Sequence, residues 1–268
     1  MSIKSKVLAA AATLTMVGGV GMAGALSAGT ASAATPSCGP SCINIFTKQF
    51  GTHHSPKFTV DVLRQGERAG QPIILFRTAN YDPALDWTAA NQGTVADFYA
   101  AGLVSSALAL HYGCIPNPLP GHNFPDCYGQ NTEAVNDWAF EIEYAPYGVD
   151  SGLCMGVATA AISGEGVTLQ PCGVSSRTVW VVDYLDSIQT TILGGYVPLI
   201  NGSDTNFSQP LVLTYPTNAY PTDMPRPQLT VTNITGFSQA SPPFYIPGPE
   251  LGTVNANQLW SQTFGVLS

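Results

Sequence analysis

Charge is scarce in this chain. Only 10% of its 268 residues are Asp, Glu, Lys or Arg, against about 25% in an ordinary soluble domain. Long charged helices and coiled coils are excluded, because they need such residues on their exposed faces. Positive charge is scarcest, with nine Lys and Arg against seventeen Asp and Glu and a formal net charge of -8. A nucleic-acid partner is therefore disfavoured, since that binding needs a basic surface to displace phosphate counterions. Also missing are a Gly-x-Ser-x-Gly elbow, a Walker loop and a His-Glu-x-x-His pair. No two Cys-x-x-Cys units occur to hold zinc. The expectation is a protein with no catalytic residues, no metal and no cofactor.

What is present is glycine, proline and apolar residues: 27 Gly, 21 Pro and 45% hydrophobic. This composition predicts a neutral-polar, turn-rich, all-β extracellular protein. Residues 1–33 read as a signal peptide. Lys4 and Lys6 precede an uncharged run of small apolar residues from Val7 to about Ala28, and Ala31-Ser32-Ala33 fits the small-x-small cleavage rule. No second apolar run of membrane-spanning length follows, so no membrane contact is expected after cleavage and a secreted, extracellular location is. Three glycosylation sequons begin at Asn201, Asn206 and Asn233. They matter only in a eukaryotic host, and the Ala-rich leader is bacterial in character.

All six cysteines, Cys38, Cys42, Cys114, Cys127, Cys154 and Cys172, follow the leader. An even count in an exported chain predicts disulfides, with fifteen connectivities open. Nearest-neighbour pairing is attractive. Cys38 and Cys42 bracket a tight turn, Cys114 and Cys127 bracket a loop with four prolines, and Cys154 and Cys172 flank an expected hairpin.

Strand, turn, strand and tryptophan recur. One run is Phe58–Leu63, Gly70–Leu75 and Trp87. Another is Leu153–Val157, Gly164–Leu169 and Trp180. A third is Tyr196–Ile200, Ser208–Leu213 and Trp260. A weaker copy, with Ala107–Leu110 as its alternating strand and Trp138 as its end, lies between the first two. Four units spaced by about 47 residues are thus expected, because one such unit cannot bury its own apolar face and several about an axis share a core. Residues 34–57 have no place in this repeat and read as an N-terminal extension before a single domain, 58–268. The Pro-rich stretch from about Thr214 to Glu250 reads as an insertion, a long ordered loop.

These runs resemble the ricin-type β-trefoil. Gly152–Val157, Gly164–Cys172 and Thr178-Val179-Trp180 are similar to that family's strand, strand and Gln-x-Trp ending, and Gln258-Leu259-Trp260 matches the ending itself. The Cys154–Cys172 pair matches the family's disulfide within a repeat. The sequence departs from the pattern in lacking Gln before the other three tryptophans and in showing four units where a trefoil has three. The resemblance implies a trefoil-like barrel with internal repeats. The alternatives are a β-sandwich or another β-barrel.

The function that the resemblance implies is sugar binding, with a carbohydrate or cell-surface polymer as partner. In that family a carboxylate at the end of the first strand, an aromatic platform and an Asn amide form the site. The first unit keeps this set best, as Asp61, Phe76 or Tyr81, and Asn80. The other units put His111 or Leu110, Met155 or Gly156, and Asn201 where the acid belongs. Two other readings are a secreted structural or surface-interaction protein without a sugar site, and a glycoside hydrolase. For the hydrolase, Glu141 and Glu143 share one face of the strand Ala139–Tyr144. That strand reads most simply as apolar-in and acid-out. The histidines His53, His54, His111 and His122 read as loop or edge residues.

Overall fold

The computed structural model describes residues 42–52, 55–77, 87–114, 138–182, 195–206, 209–235 and 254–264. The protein is all-β. Its strands are β1 (Ile43–Thr47), β2 (Gly51–Thr52), β3 (Ser55–Pro56), β4 (Phe58–Val62), β5 (Ile73–Arg77), β6 (Trp87–Thr94), β7 (Trp138–Tyr144), β8 (Leu153–Val157), β9 (Val167–Pro171), β10 (Val179–Val182), β11 (Leu199–Asn201), β12 (Leu211–Thr214), β13 (Thr230–Asn233) and β14 (Trp260–Phe264). Two short helices, α1 (Val95–Ala100) and α2 (Ser106–His111), follow β6. Ten of the strands share one antiparallel sheet.

The chain runs through strand, hairpin, strand three times. Unit one is β1, the hairpin β4–β5, and β6. Unit two is β7, β8–β9 and β10. Unit three is β11, β12–β13 and β14. The outer strands pair in the order β1, β6, β7, β10, β11. An antiparallel bridge from Val197 to Trp260 joins the lead-in of β11 to β14, and β14 pairs along the whole of β1. The pairings therefore return to the strand where they began. The three hairpins meet one another as well, through bridges Pro72–Thr168, Ile74–Gln228 and Gly166–Thr230.

Each unit carries one buried indole. Trp87, Trp180 and Trp260 are at most 1% exposed. Their Nε1–H groups donate to the carbonyls of Val60, Met155 and Leu213, at 3.1, 2.9 and 2.7 Å. Each acceptor is the third residue of its unit's first hairpin strand. A buried indole is stable only with a partner for its N–H, so this bond locks each outer strand to its own hairpin.

Several strands are buried on both faces, and so their sequences lack clean alternation. In β10 Trp180 and Val182 face the shared core with Trp87 and Trp260, while Val179 and Val181 face a second cluster with Phe98, Tyr99 and Leu108 of the helices. That second cluster is made by the segment after β6. Thr94 and Asp97 form a capping box at the start of α1, and Ser105 Oγ accepts the Leu108 N–H at the start of α2.

Four expectations are corrected here. The units number three, because Ala107–Leu110 lies in α2. Two Ala and two Leu behind a serine cap favour helix, and four residues are too few to distinguish the periods. Trp138 is 39% exposed and opens β7, so it does not close a unit. The run Ile43–Thr47 is the first strand of unit one, with a place in the repeat that the sequence did not mark. The Pro-rich stretch contains β13, which completes the third hairpin; its residues 236–250 lie outside the described range.

The disulfide Cys154–Cys172 is formed, with Cα atoms 5.0 Å apart, and clips β8 to the residue after β9. Cys42 and Cys114 are disulfide-bonded as well. Cys38 and Cys127 lie outside the described residues. No helix among the described residues is long and apolar enough to cross a membrane.

Candidate functional site

The three indole bonds define equivalent positions in the hairpins. The residue after each acceptor carbonyl is Asp61 in unit one, Gly156 in unit two and Thr214 in unit three. Register places Asp61 opposite Ile74. At Gly156 a β-carbon would lie 2.6 Å from the Arg177 carbonyl oxygen, so backbone fills the space a side chain would need. At Thr214 the hydroxyl is engaged by Thr232 Oγ1 at 2.8 Å and by the Val212 carbonyl at 2.9 Å. Gln258 Nε2 also reaches it at 3.3 Å. Only unit one carries an acid at this position. The third unit's first hairpin strand is Leu211–Thr214, whereas Tyr196–Ile200 supplies its outer strand, so Asn201 is not the equivalent of Asp61.

Asp61 is 4% exposed. With Phe76 it lines a cavity of about 430 Å³, completed by the turn Leu63–Gln65, Ile74 and the segment Met224–Arg226. Phe76 stands on β5 and is half-buried. The Arg226 guanidinium carbon lies 4.3 Å from its ring centroid, a cation–π contact. Arg226 Nη1 also donates to the Pro221 carbonyl at 2.9 Å. Of the residues predicted for a sugar site, Asp61 and Phe76 thus share one cavity, and Asn80 and Tyr81 lie outside the described residues. Arg64, Met224 and Arg226 were not anticipated.

The wall formed by the turn is strained. Arg64 and Gln65 adopt φ of 58° and 54°, a left-handed conformation that costs a side-chain-bearing residue about 1–2 kcal/mol. Gln71 holds the turn by donating Nε2–H to the Leu63 carbonyl, while its Oε1 accepts from Arg68 Nε. Strain of this kind persists where the surroundings impose it, and it collects at binding sites.

The acids of β7 do not face solvent. Glu141 is fully buried and Glu143 is 7% exposed, which corrects the acid-out expectation. The outer face of β7 is covered because the Cys172–Thr178 segment and the turn before β8 fold over it. Glu141 accepts from the Gly173 N–H, Thr178 Oγ1 and Asn91 Nδ2. Asn91 reaches it from an irregularity in β6 between Ala89 and Gln92. Glu143 accepts from the Gly152 N–H at 2.6 Å. Burial pushes the Glu143 carboxyl up, the Gly152 bond pulls it down, and the charges of Asp150 and Glu141 push it up further. Glu143 and Asp150 line a second cavity of about 530 Å³ with Trp138. With these contacts inside the fold, Glu141 serves as a strut between β6, β7 and the Gly173–Thr178 segment and is not placed as a nucleophile. His111 ends α2, and burial lowers its pKa to about 4, so it is a neutral packed residue.

The Gln of the Gln-x-Trp ending also has a structural task. Gln258 is 2% exposed. Its Nε2 donates to Thr232 Oγ1 and the Asn233 carbonyl, and its Oε1 accepts from the Thr235 N–H and hydroxyl. It ties the third hairpin to the strand that follows.

No protein-family model matches the chain, and no curated protein matches it. Among solved structures the chain is similar to a mosquitocidal holotoxin, at 12% identity and a TM-score of 0.43. The match covers 83% of this chain and 17% of the toxin, so the chain spans about a sixth of that protein's length.

Proposed function

We propose that the three units form a β-trefoil of ricin type, and that the protein is secreted and binds extracellular or cell-wall glycans without catalysis. The fold proposal is supported by six outer strands whose pairings return to their start, by three mutually bridged hairpins, and by the three matching indole bonds. Secretion is supported by the leader sequence and the disulfides. The observation that carries the function is the contrast among Asp61, Gly156 and Thr214. Of these equivalent positions only the first holds an acid, and it lines a cavity together with an aromatic ring. The carboxylate accepts hydrogen bonds from sugar hydroxyls, and the Phe76 ring supplies an apolar surface. A shallow site of this kind has millimolar affinity, about -4 kcal/mol.

One observation favours a second reading, a surface-interaction protein without a sugar site. The Arg226 guanidinium already covers a face of Phe76. A glycan array and a polysaccharide pull-down separate the two. The sugar-binding reading predicts retention of the wild type on at least one glycan and loss with an Asp61→Ala variant that remains folded by circular dichroism. No retention, or equal retention of both proteins, refutes it.

A further inference from the structure

We infer that the Asp61 cavity takes an anionic sugar, one carrying a carboxylate such as a uronic acid, in preference to a neutral hexose. This rests on the carbohydrate-binding reading of the same cavity and names the class of its ligand.

Cations are few in this chain. It holds nine Lys and Arg, and Lys4 and Lys6 belong to the leader. Seven remain for the folded protein, and two of those seven, Arg64 and Arg226, line this one cavity with a single acid, Asp61. The cavity is therefore net positive on a chain that is net negative. The nearby Asp223 carboxylate accepts the Tyr220 N–H at 2.6 Å and is not among the cavity-lining residues. Glu67 is exposed in the loop beyond Gly66 and does not line the cavity either.

Both guanidiniums retain donors. Arg226 uses Nη1 on the Pro221 carbonyl and holds its guanidinium carbon over the Phe76 ring, leaving further N–H groups of its fork. Arg64 is exposed, and no described group accepts from it. Its left-handed backbone, beside a second left-handed residue, fixes where that side chain leaves the turn. A planar fork of N–H donors matches a carboxylate with two parallel bonds, which a neutral hydroxymethyl group cannot accept. Asp61, 4% exposed, stands at the cavity wall. The two arginines are thus the groups that read a negative substituent. This assignment also gives the Arg226–Phe76 contact a use, since the ring holds the guanidinium in place for the ligand.

The test compares methyl β-D-glucuronide with methyl β-D-glucoside, which differ only in a carboxylate for a hydroxymethyl group, by calorimetric or NMR titration of the full protein. The inference predicts at least about tenfold tighter binding of the glucuronide, the equivalent of about 1.4 kcal/mol. Added salt should shrink the ratio, and Arg64→Gln and Arg226→Gln should each shrink the glucuronide-to-glucoside ratio toward one. Arg64 is at the surface, so Arg64→Gln keeps the test valid if Arg226→Gln disturbs folding. A 6-sulfated glucoside is the third ligand. Binding it more tightly than the glucuronide would overturn the carboxylate assignment. Equal binding of glucuronide and glucoside, with sensitivity to Asp61→Ala, would overturn this inference and leave the carbohydrate reading standing. Binding of neither sugar class, here or on the array, would overturn both.

Discussion

Replacing Trp180 by Phe isolates the device that ties each outer strand to its hairpin. The indole is fully buried, and its Nε1–H donates to the Met155 carbonyl at 2.9 Å. The substitution deletes a hydrogen bond worth about 1 kcal/mol. It also removes buried ring atoms, adding about 1–2 kcal/mol through transfer and cavity terms. The expected cost is about 2–3 kcal/mol. For a chain of this size that lowers Tm by about 4–12 °C. Trp87→Phe and Trp260→Phe should behave alike, because their burial and their bonds match. Trp138 is 39% exposed, and its replacement by Phe should stay within about 0.5 kcal/mol. Thermal and urea unfolding of the four single variants reads the contrast directly. If Trp138→Phe costs as much as the others, or one of the three buried positions costs nothing, the threefold reading is wrong.

Other perturbations test separate links. Breaking Cys154–Cys172 with a double Ser substitution opens a loop of sequence separation 18. It should cost about 3 kcal/mol, read by urea unfolding, and equal stability of the two proteins would refute it. Gly156→Ala places a methyl group 2.6 Å from the Arg177 carbonyl oxygen. It should destabilise by about 1–3 kcal/mol and leave sugar binding intact, and a stability-neutral result would show that the second hairpin is not packed as described. His111 has its pKa lowered to about 4 by burial. Its contribution to stability is present above the unfolded value near 6.5 and is lost as pH falls from there toward about 4. Acidification from pH 7 to 4 should therefore cost the wild type more stability than His111→Gln. Glu143 and Asp204, both pushed up by burial, contribute in the opposite sense, but they are common to both proteins and cancel in the difference.

The parts of the fold legible in the sequence were those that repeat with large side chains. Trp87, Trp180 and Trp260, and the hairpins of units one and two, could be found because indoles and Gly-punctuated apolar strands are rare and distinctive. The rest is hidden for physical reasons. Ile43–Thr47 carries no tryptophan and no glycine turn, and only its pairing with Trp260–Phe264 gives it a role. The third unit looked out of register because 47 residues separate Leu213 from Trp260, against 27 and 25 in the other units. β13 sits among prolines and is only four residues long. Glu141 and Glu143 read as solvent-facing because a strand's alternation shows nothing of the segment that folds across its outer face. Of the candidate site, Asp61 and Phe76 follow from a motif within one hairpin. Arg226 comes from the third unit and meets Phe76 only when the three hairpins gather. That juxtaposition has no local signature.

We propose that the Asp61 cavity holds a sugar. A ¹⁵N NMR titration of the protein with methyl β-D-glucuronide tests it at residue level. Concentration-dependent shifts are expected at the amides of Asp61 to Gln65, Phe76, Met224 and Arg226 alone, abolished by Asp61→Ala. Shifts centred elsewhere, for example on Thr88, Trp138 and Asp150 at the second cavity, or none at millimolar sugar, would contradict it.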